Sequence, residues 1–108
     1  MNDLDGALED FNQAINLDPK HVEGYDYRAD VWKAKGEIDR ALADYEIAIR
    51  LDPTYAAAYY SRGRIYESQG EVARARADYN AALAVPEKDR IAKWAQDQAR
   101  QRLRELPD

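Results

Sequence analysis

Few residues in this chain have the type and spacing for chemistry. His21 is the sole histidine and there is no cysteine among the 108 residues. That excludes the clustered nitrogen and sulfur ligands of ordinary zinc centres, and any thiol or disulfide chemistry. His21 follows Pro19 closely and reads as a solvated loop residue rather than a general base. Asp3, Asp5 and Gly6 begin like a calcium loop but lack its later ligands and its bidentate Glu. They read better as the acidic first turn of a helix, where the macrodipole favours carboxylates. No glycine-rich phosphate loop and no nucleophile elbow is present, so neither catalysis nor a cofactor nor a metal is expected. What remains is ion pairing. Asp10, Asp44 and Asp78 recur every 34 residues beside Phe11, Tyr45 and Tyr79, and Arg28 and Arg62 recur at the same step. A partly buried guanidinium needs a carboxylate, so Arg28 is expected to pair with Asp10 or Asp44, and Arg62 with Asp44 or Asp78.

That interval also exposes the elements that must position these pairs. Tyr25, Ala29, Gly36, Ala41, Tyr45 and Ala48 return 34 residues later as Tyr59, Gly63, Gly70, Ala75, Tyr79 and Ala82. One step earlier lie Ala7, Phe11 and Ala14, and Asp52-Pro53 is preceded by Asp18-Pro19 at the same interval. A period of this length with two helices per unit signals a stacked array. With an aromatic four residues before a small residue, then a turn glycine, then Ala, aromatic, Ala and Asp-Pro, the chain strongly resembles the tetratricopeptide repeat (TPR) family. The resemblance runs from about Asn2 to Val85. Tyr59-Tyr60-Ser61-Arg62-Gly63 is similar to a form common in bacterial members, whereas Arg28 and Arg62 occupy a column that the family commonly fills with Leu. The resemblance implies an all-α fold, a TPR-type α-solenoid of helix-turn-helix repeats.

In chain order, residues 1–21 read as the second helix of a partial repeat. Asn2 stands in for the turn glycine as a left-handed cap, and Leu4, Ala7, Leu8, Phe11, Ala14 and Ile15 recur at three and four. The helix stops at Asp18-Pro19 because Pro cannot continue it and steers the preceding residue away from helical angles. The face that a first helix would cover is expected to need another partner. A full repeat occupies 22–55, with helices from about Val22 to Lys35 and Glu37 to Leu51 around Gly36. Ala29, Ala41 and Ala48 let those helices approach closely, and Tyr25, Trp32 and Tyr45 are expected in the core. A second full repeat occupies 56–86 and ends one residue early, at Val85-Pro86, so a different junction is expected there. From 87 to 108 the signature is lost, but Ile91, Trp94, Ala95, Ala99, Leu103 and Leu106 form a helical stripe. A capping helix that solvates the end of the array is the expected role. The whole is read as a single TPR domain, 1–108.

Composition bounds the partners. The net charge is −5 and the sequence pI about 4.9, which argues against a nucleic acid. With no long apolar run and no signal peptide, a cytoplasmic chain without a membrane partner is expected. Residues 1–53 carry thirteen acids and six bases, while 54–108 carry eight and ten. This asymmetry reads as drift along a solvated surface or, more sharply, as head-to-tail attraction between copies.

The resemblance implies a scaffold or protein-interaction module that binds a partner peptide or helix in a concave groove lined by the first helix of each hairpin. Here those columns hold Glu23, Asp26, Tyr27, Asp30 and Lys33, then Ala57, Tyr60, Ser61, Arg64 and Glu67. Some TPR proteins grip the acidic carboxyl terminus of cytosolic chaperones with Lys, Asn and Arg in these columns; of Asp26, Tyr27 and Asp30 in one repeat and Tyr60, Ser61 and Arg64 in the other, only Arg64 is cationic, so that ligand is not expected. Tyr27 and Tyr60 are expected to stand exposed as anchors, and the acids favour a partner carrying Lys or Arg. The alternative is structural: a homodimer or higher oligomer formed through the uncovered side of Leu4, Leu8, Phe11 and Ile15, or through the C-terminal helix at Trp94.

Overall fold

The structure, a computed structural model, describes residues 3–107. Asn2, expected as a left-handed cap, lies outside them. The described residues form six helices and no strand: α1 (Asp3–Leu17), α2 (Val22–Ala34), α3 (Ile38–Leu51), α4 (Ala56–Ser68), α5 (Val72–Ala84) and α6 (Arg90–Glu105). They make two compact units, Met1–Pro53 with α1 to α3 and Thr54–Asp108 with α4 to α6.

In the first unit α2 forms a hairpin with α3 and also packs on α1. The turn after α2 needs a left-handed residue, and Gly36 supplies it with φ of 82°, a region costly for any residue with a Cβ. The Glu37 amide then reaches back to the Trp32 carbonyl at 2.9 Å and the Gly36 amide to Lys33 at 3.0 Å, which satisfies carbonyls that the helix end would orphan. Gly70 repeats this turn after α4, with φ of 78° and the Glu71 amide 2.9 Å from the Tyr66 carbonyl. His21, expected to be only a solvated loop residue, is the N-cap of α2. Its Nδ1 accepts from the Gly24 amide at 3.2 Å, satisfying a first-turn donor. The Tyr25 hydroxyl donates to the Pro19 carbonyl at 2.8 Å and ties the linker down.

In the second unit α4 and α5 form the hairpin and α6 lies against both. The final helix starts at Arg90 rather than Glu87 because Asp89 caps it, accepting from the Ala92 amide at 2.7 Å. Arg90 follows Ala56, and Ala56 follows Val22, by the repeat period. The segment between Val85 and Asp89 therefore absorbs the early proline, and α6 resumes the register of a first helix. Its buried face differs from the expected stripe. Ala92, Ala95, Gln96, Ala99 and Leu106 are buried, whereas Ile91 and Trp94 remain 49 % and 53 % exposed. The cause is polar as well as steric. The Gln96 amide donates to the carbonyls of Ala82 at 3.0 Å and Val85 at 2.7 Å, groups that the end of α5 leaves without helical partners, and this fixes the rotation of α6.

Small residues sit where helices approach most closely. Ala29, Ala41 and Ala48 in one unit, and Ala75, Ala82, Ala95 and Ala99 in the other, are fully buried beside the equally buried rings of Tyr45 and Tyr79. Gly63 marks the tightest approach: a Cβ there would stand 2.7 Å from Tyr79 Cε1.

Candidate functional site

Each hairpin is locked by one two-pronged ion pair. Arg28 donates from Nε to Asp44 Oδ2 and from Nη2 to Asp44 Oδ1, both at 2.7 Å, and from Nη1 to Asn12 at 2.9 Å. Arg62 donates the same way to Asp78, twice at 2.8 Å. Of the partners open to each arginine, the structure selects the aspartate of its own hairpin. Asp44 and Asp78 are only 3 % and 5 % exposed, so the fork supplies the hydrogen bonds that burial demands. The bonds to Asp44 hold the Arg28 guanidinium above its ordinary pKa against the opposing effect of burial.

Two buried tyrosines project their hydroxyls toward the outer face of the first helices, and each finds an acid there. Tyr45 donates to Asp30, and Tyr79 donates to Glu67 at 2.7 Å. The acids are not repeat equivalents: Glu67 follows Lys33 by the period and Arg64 follows Asp30, so the same hydroxyl is served from a different turn in each copy. Asp30 keeps part of its surface in water, yet loss of hydration at the carboxyl raises its pKa while the Tyr45 hydroxyl opposes that shift. Glu67 moves the other way. Its hydrogen bonds from Arg102 hold it below the usual carboxylate range, with Arg102 Nε 3.1 Å from Oε1 and Nη2 on Oε2. Burial, and then the bond to Glu67, push the Tyr79 hydroxyl up.

On α2, Tyr27, Asp30 and Lys33 are exposed and Glu23 is half-buried, its carboxylate 3.2 Å from His21 Nε2. Asp26 belongs to the interior. Tyr27, 39 % exposed, has its ring 5.8 Å from that of Phe11 on α1. On α4, Arg64 is exposed and Ser61 and Glu67 are half-buried. Tyr60 departs from expectation. It is 7 % exposed, with its ring 6.0 Å from Tyr79 and 5.4 Å from Trp94, which meets it edge-on, and its hydroxyl accepts from Arg64 Nη1 at 3.1 Å. Tyr60 is covered because Trp94, one period later on α6, stands over it. Trp94 thus continues the column of Asp26 and Tyr60, and Ile91 that of Glu23 and Ala57.

The residues considered for self-association are divided. Leu8 and Ile15 are buried within the first unit, Ile15 meeting α2 beside Gly24, while Leu4 and Phe11 are half-buried and Trp94 is exposed in the second unit. Sequence reasoning missed the tyrosine–acid bonds, the bridge from Arg102 to Glu67 and the Gln96 cap. Only the first had a signal, since a buried Tyr needs a partner for its hydroxyl. Among the described residues no group of three or more His, Cys, Asp or Glu is placed to hold a metal, and no helix is long and apolar enough to cross a membrane.

Comparisons with known proteins agree with this architecture. A family model described as "TPR repeat" matches residues 29–70, and one described as "Tetratricopeptide repeat" matches residues 1–21 and 56–89. No curated protein matches. Among solved structures, the Arabidopsis OM64 TPR domain is 26 % identical with a TM-score of 0.73, covering 93 % of this chain and 83 % of that one. The Sgt2 TPR domain from Aspergillus fumigatus is 20 % identical with a TM-score of 0.73, covering 95 % and 70 %. The first TPR of Spaghetti (RPAP3), solved bound to the HSP90 peptide SRMEEVD, is 22 % identical with a TM-score of 0.72, covering 94 % and 81 %. With its period, its hairpins, their turn glycines and these matches taken together, this all-α chain of helical hairpins belongs to the tetratricopeptide repeat family.

Proposed function

We propose that the chain is a non-catalytic protein-interaction module that takes peptides or helices of partner proteins on the outer columns of the first helices, in each unit by itself. The observation that carries this reading is the set of side chains in those columns that stand open to solvent, Asp30 among them although it also accepts from Tyr45. Asp30 and Lys33 on α2, Arg64 on α4, and Ile91 and Trp94 on α6 all remain exposed. Trp94, braced edge-on by Tyr60, is a large amphipathic surface of the kind that anchors partners at low entropic cost. The RPAP3 structure holds an acidic peptide; here the α2 columns carry Glu23 and Asp30, so the partner segment in the first unit carries Lys or Arg. Cation-rich recognition of an acidic tail would need more than Lys33 and Arg64. No residue used in this reading belongs to the apolar side of α1, so the reading does not depend on self-association.

Selection of a random peptide display library on the chain, followed by calorimetric titration of the enriched peptides, tests this. Enriched peptides that bind the first unit are expected to carry Lys or Arg beside an apolar residue. Glu23→Gln with Asp30→Asn, which keeps an acceptor for Tyr45, is expected to weaken the basic peptides that bind the first unit about tenfold, and Trp94→Ala to weaken comparably those that bind the second. Failure to enrich any peptide, or equal affinity for wild type and both variants, refutes the reading.

A further inference from the structure

Two arginines of the second unit act on one carboxylate, Glu67, and only one of them takes it. Arg64 and Glu67 lie three residues apart on α4, a spacing at which opposite charges on a helix meet. Left to each other, they would cancel. Instead Arg102 reaches over from α6, donating from Nε to Glu67 Oε1 at 3.1 Å and from Nη2 to Oε2. The Tyr79 hydroxyl also donates to Oε1, at 2.7 Å. Both oxygens of Glu67 are therefore engaged by groups from α5 and α6, and the hydrogen bonds from Arg102 hold the carboxyl below the usual carboxylate range.

Arg64 keeps its charge as a result. Its Nη1 donates to the Tyr60 hydroxyl at 3.1 Å, a neutral acceptor that positions the guanidinium without balancing it. The side chain is exposed, and a guanidinium has five donors, so most of them stand ready for a ligand. Tyr60 also meets Trp94 edge-on, with ring centroids 5.4 Å apart. One buried phenol thus holds a cation at its hydroxyl and an exposed indole against its ring. On α2 the columns of Arg64 and Glu67 carry Asp30 and Lys33, so the signs are reversed between the two units.

We propose that Arg102 is a specificity-determining residue of the second unit: by keeping Glu67 from Arg64 it leaves one uncompensated cation beside Trp94, and this face then prefers a segment with a single side-chain carboxylate next to an aliphatic or aromatic residue. Arg102 acts through Glu67 rather than by touching that segment. The preference rests on the reading of these columns as a peptide surface, and it makes the charge selected by the second unit opposite to that selected by the first.

Peptides enriched from a random display library on the full chain are kept where Trp94→Ala weakens them, resynthesised with both ends blocked, and titrated by calorimetry at low ionic strength. They are expected to carry Asp or Glu next to an apolar side chain. Replacing that acid by its amide is expected to cost about fivefold in affinity on the wild-type chain. Arg102→Gln is expected to cost the same, because Glu67 then turns to Arg64 and repels the ligand, and the amide peptide should lose nothing further on that variant. Rescue separates this from simple damage to α6. Adding Glu67→Gln, which keeps an acceptor for Tyr79, is expected to restore the affinity although the bridge to α6 stays broken. Arg100→Gln removes the same charge from α6, but Arg100 bonds to Asp97 at 3.0 Å, so it is expected to change the affinity less than about twofold. Circular dichroism verifies the fold of each variant. Trp94-dependent peptides with no acid, an Arg102→Gln chain that binds as wild type does, a double variant as weak as the single one, or an equal effect of Arg100→Gln overturns the inference and leaves peptide binding itself standing. Enrichment of no Trp94-dependent peptide overturns both.

Discussion

Replacing Arg62 with Leu, a residue common in that column of the family, would remove both hydrogen bonds that Asp78 receives at 2.8 Å. Asp78 is only 5 % exposed, so its carboxylate would be stranded. Breaking one partner of a buried pair costs roughly 3 to 5 kcal/mol. The Arg62 side chain is 22 % exposed, which lets water approach the stranded acid and puts the expected loss at the lower end, about 3 kcal/mol. At roughly 4 to 8 °C per kcal/mol for a domain of this size, the midpoint falls by more than about 10 °C. Arg62→Lys keeps the charge but cannot fork, so it should lose about 1 kcal/mol. The informative variant is the double one. Arg62→Leu with Asp78→Ala removes both buried charges and is expected to recover most of the loss, because a buried ion pair is repaid poorly for its desolvation. Equilibrium urea unfolding by circular dichroism gives all three values. A single Arg62→Leu within about 1 kcal/mol of wild type, or a double variant as damaged as the single one, would refute the claim that desolvation governs this pair.

Gly63→Ala gains up to about 1 kcal/mol of helix propensity but puts a Cβ 2.7 Å from Tyr79 Cε1 and 3.2 Å from Asp78 Cβ. Overpacking of about 1 to 3 kcal/mol should therefore win, and an unchanged or raised urea midpoint would contradict it. Glu67 has its folded pKa depressed by Arg102, so its contribution is present above the ordinary glutamate value and is lost as pH falls through the folded one. Unfolding followed below about pH 4.5 should show a loss that Arg102→Gln reduces. Asp30 has the opposite sign. Its folded pKa is raised by burial, so stability is lost as pH rises through that value, and Asp30→Asn should flatten this dependence in the same titration.

The helices were legible because the marks that end them are local. Pro19, Gly36 and Gly70 act through backbone angles, and the period of 34 carries each mark to the next copy. The pairing of Arg28 and Arg62 with aspartates was legible for a related reason: two arginines out of place in an apolar column recur in step with an acid. The choice of aspartate was not, since Asp10 and Asp44 both lie in the right column and only the hairpin geometry separates them. The C-terminal helix was read less well. Ile91 and Trp94 belong to the apolar stripe of the segment, but Gln96 turns the helix by reaching the last carbonyls of α5, and a hydropathy pattern gives no weight to such a bond. Tyr60 was misread for the same reason, since its cover is a tryptophan one period later in a segment with no recognisable signature.

The differing acid partners of Tyr45 and Tyr79 bear on how such arrays can change by recombination. If α5 were joined to α2, Tyr79 would find Asp30; if α3 were joined to α4, Tyr45 would find Glu67. Either second helix is therefore provided for by either first helix, because both acids lie within reach of the same hydroxyl position. A crossover within the Gly36 or Gly70 turn would leave no buried phenol stranded. One within the first helices, between the Asp30 column and the Glu67 column, could bring Arg64 and Lys33 into one helix and leave the tyrosine facing two cations. Unequal exchange should thus be tolerated at the turns and selected against inside the first helices, a bias written by two hydroxyl groups.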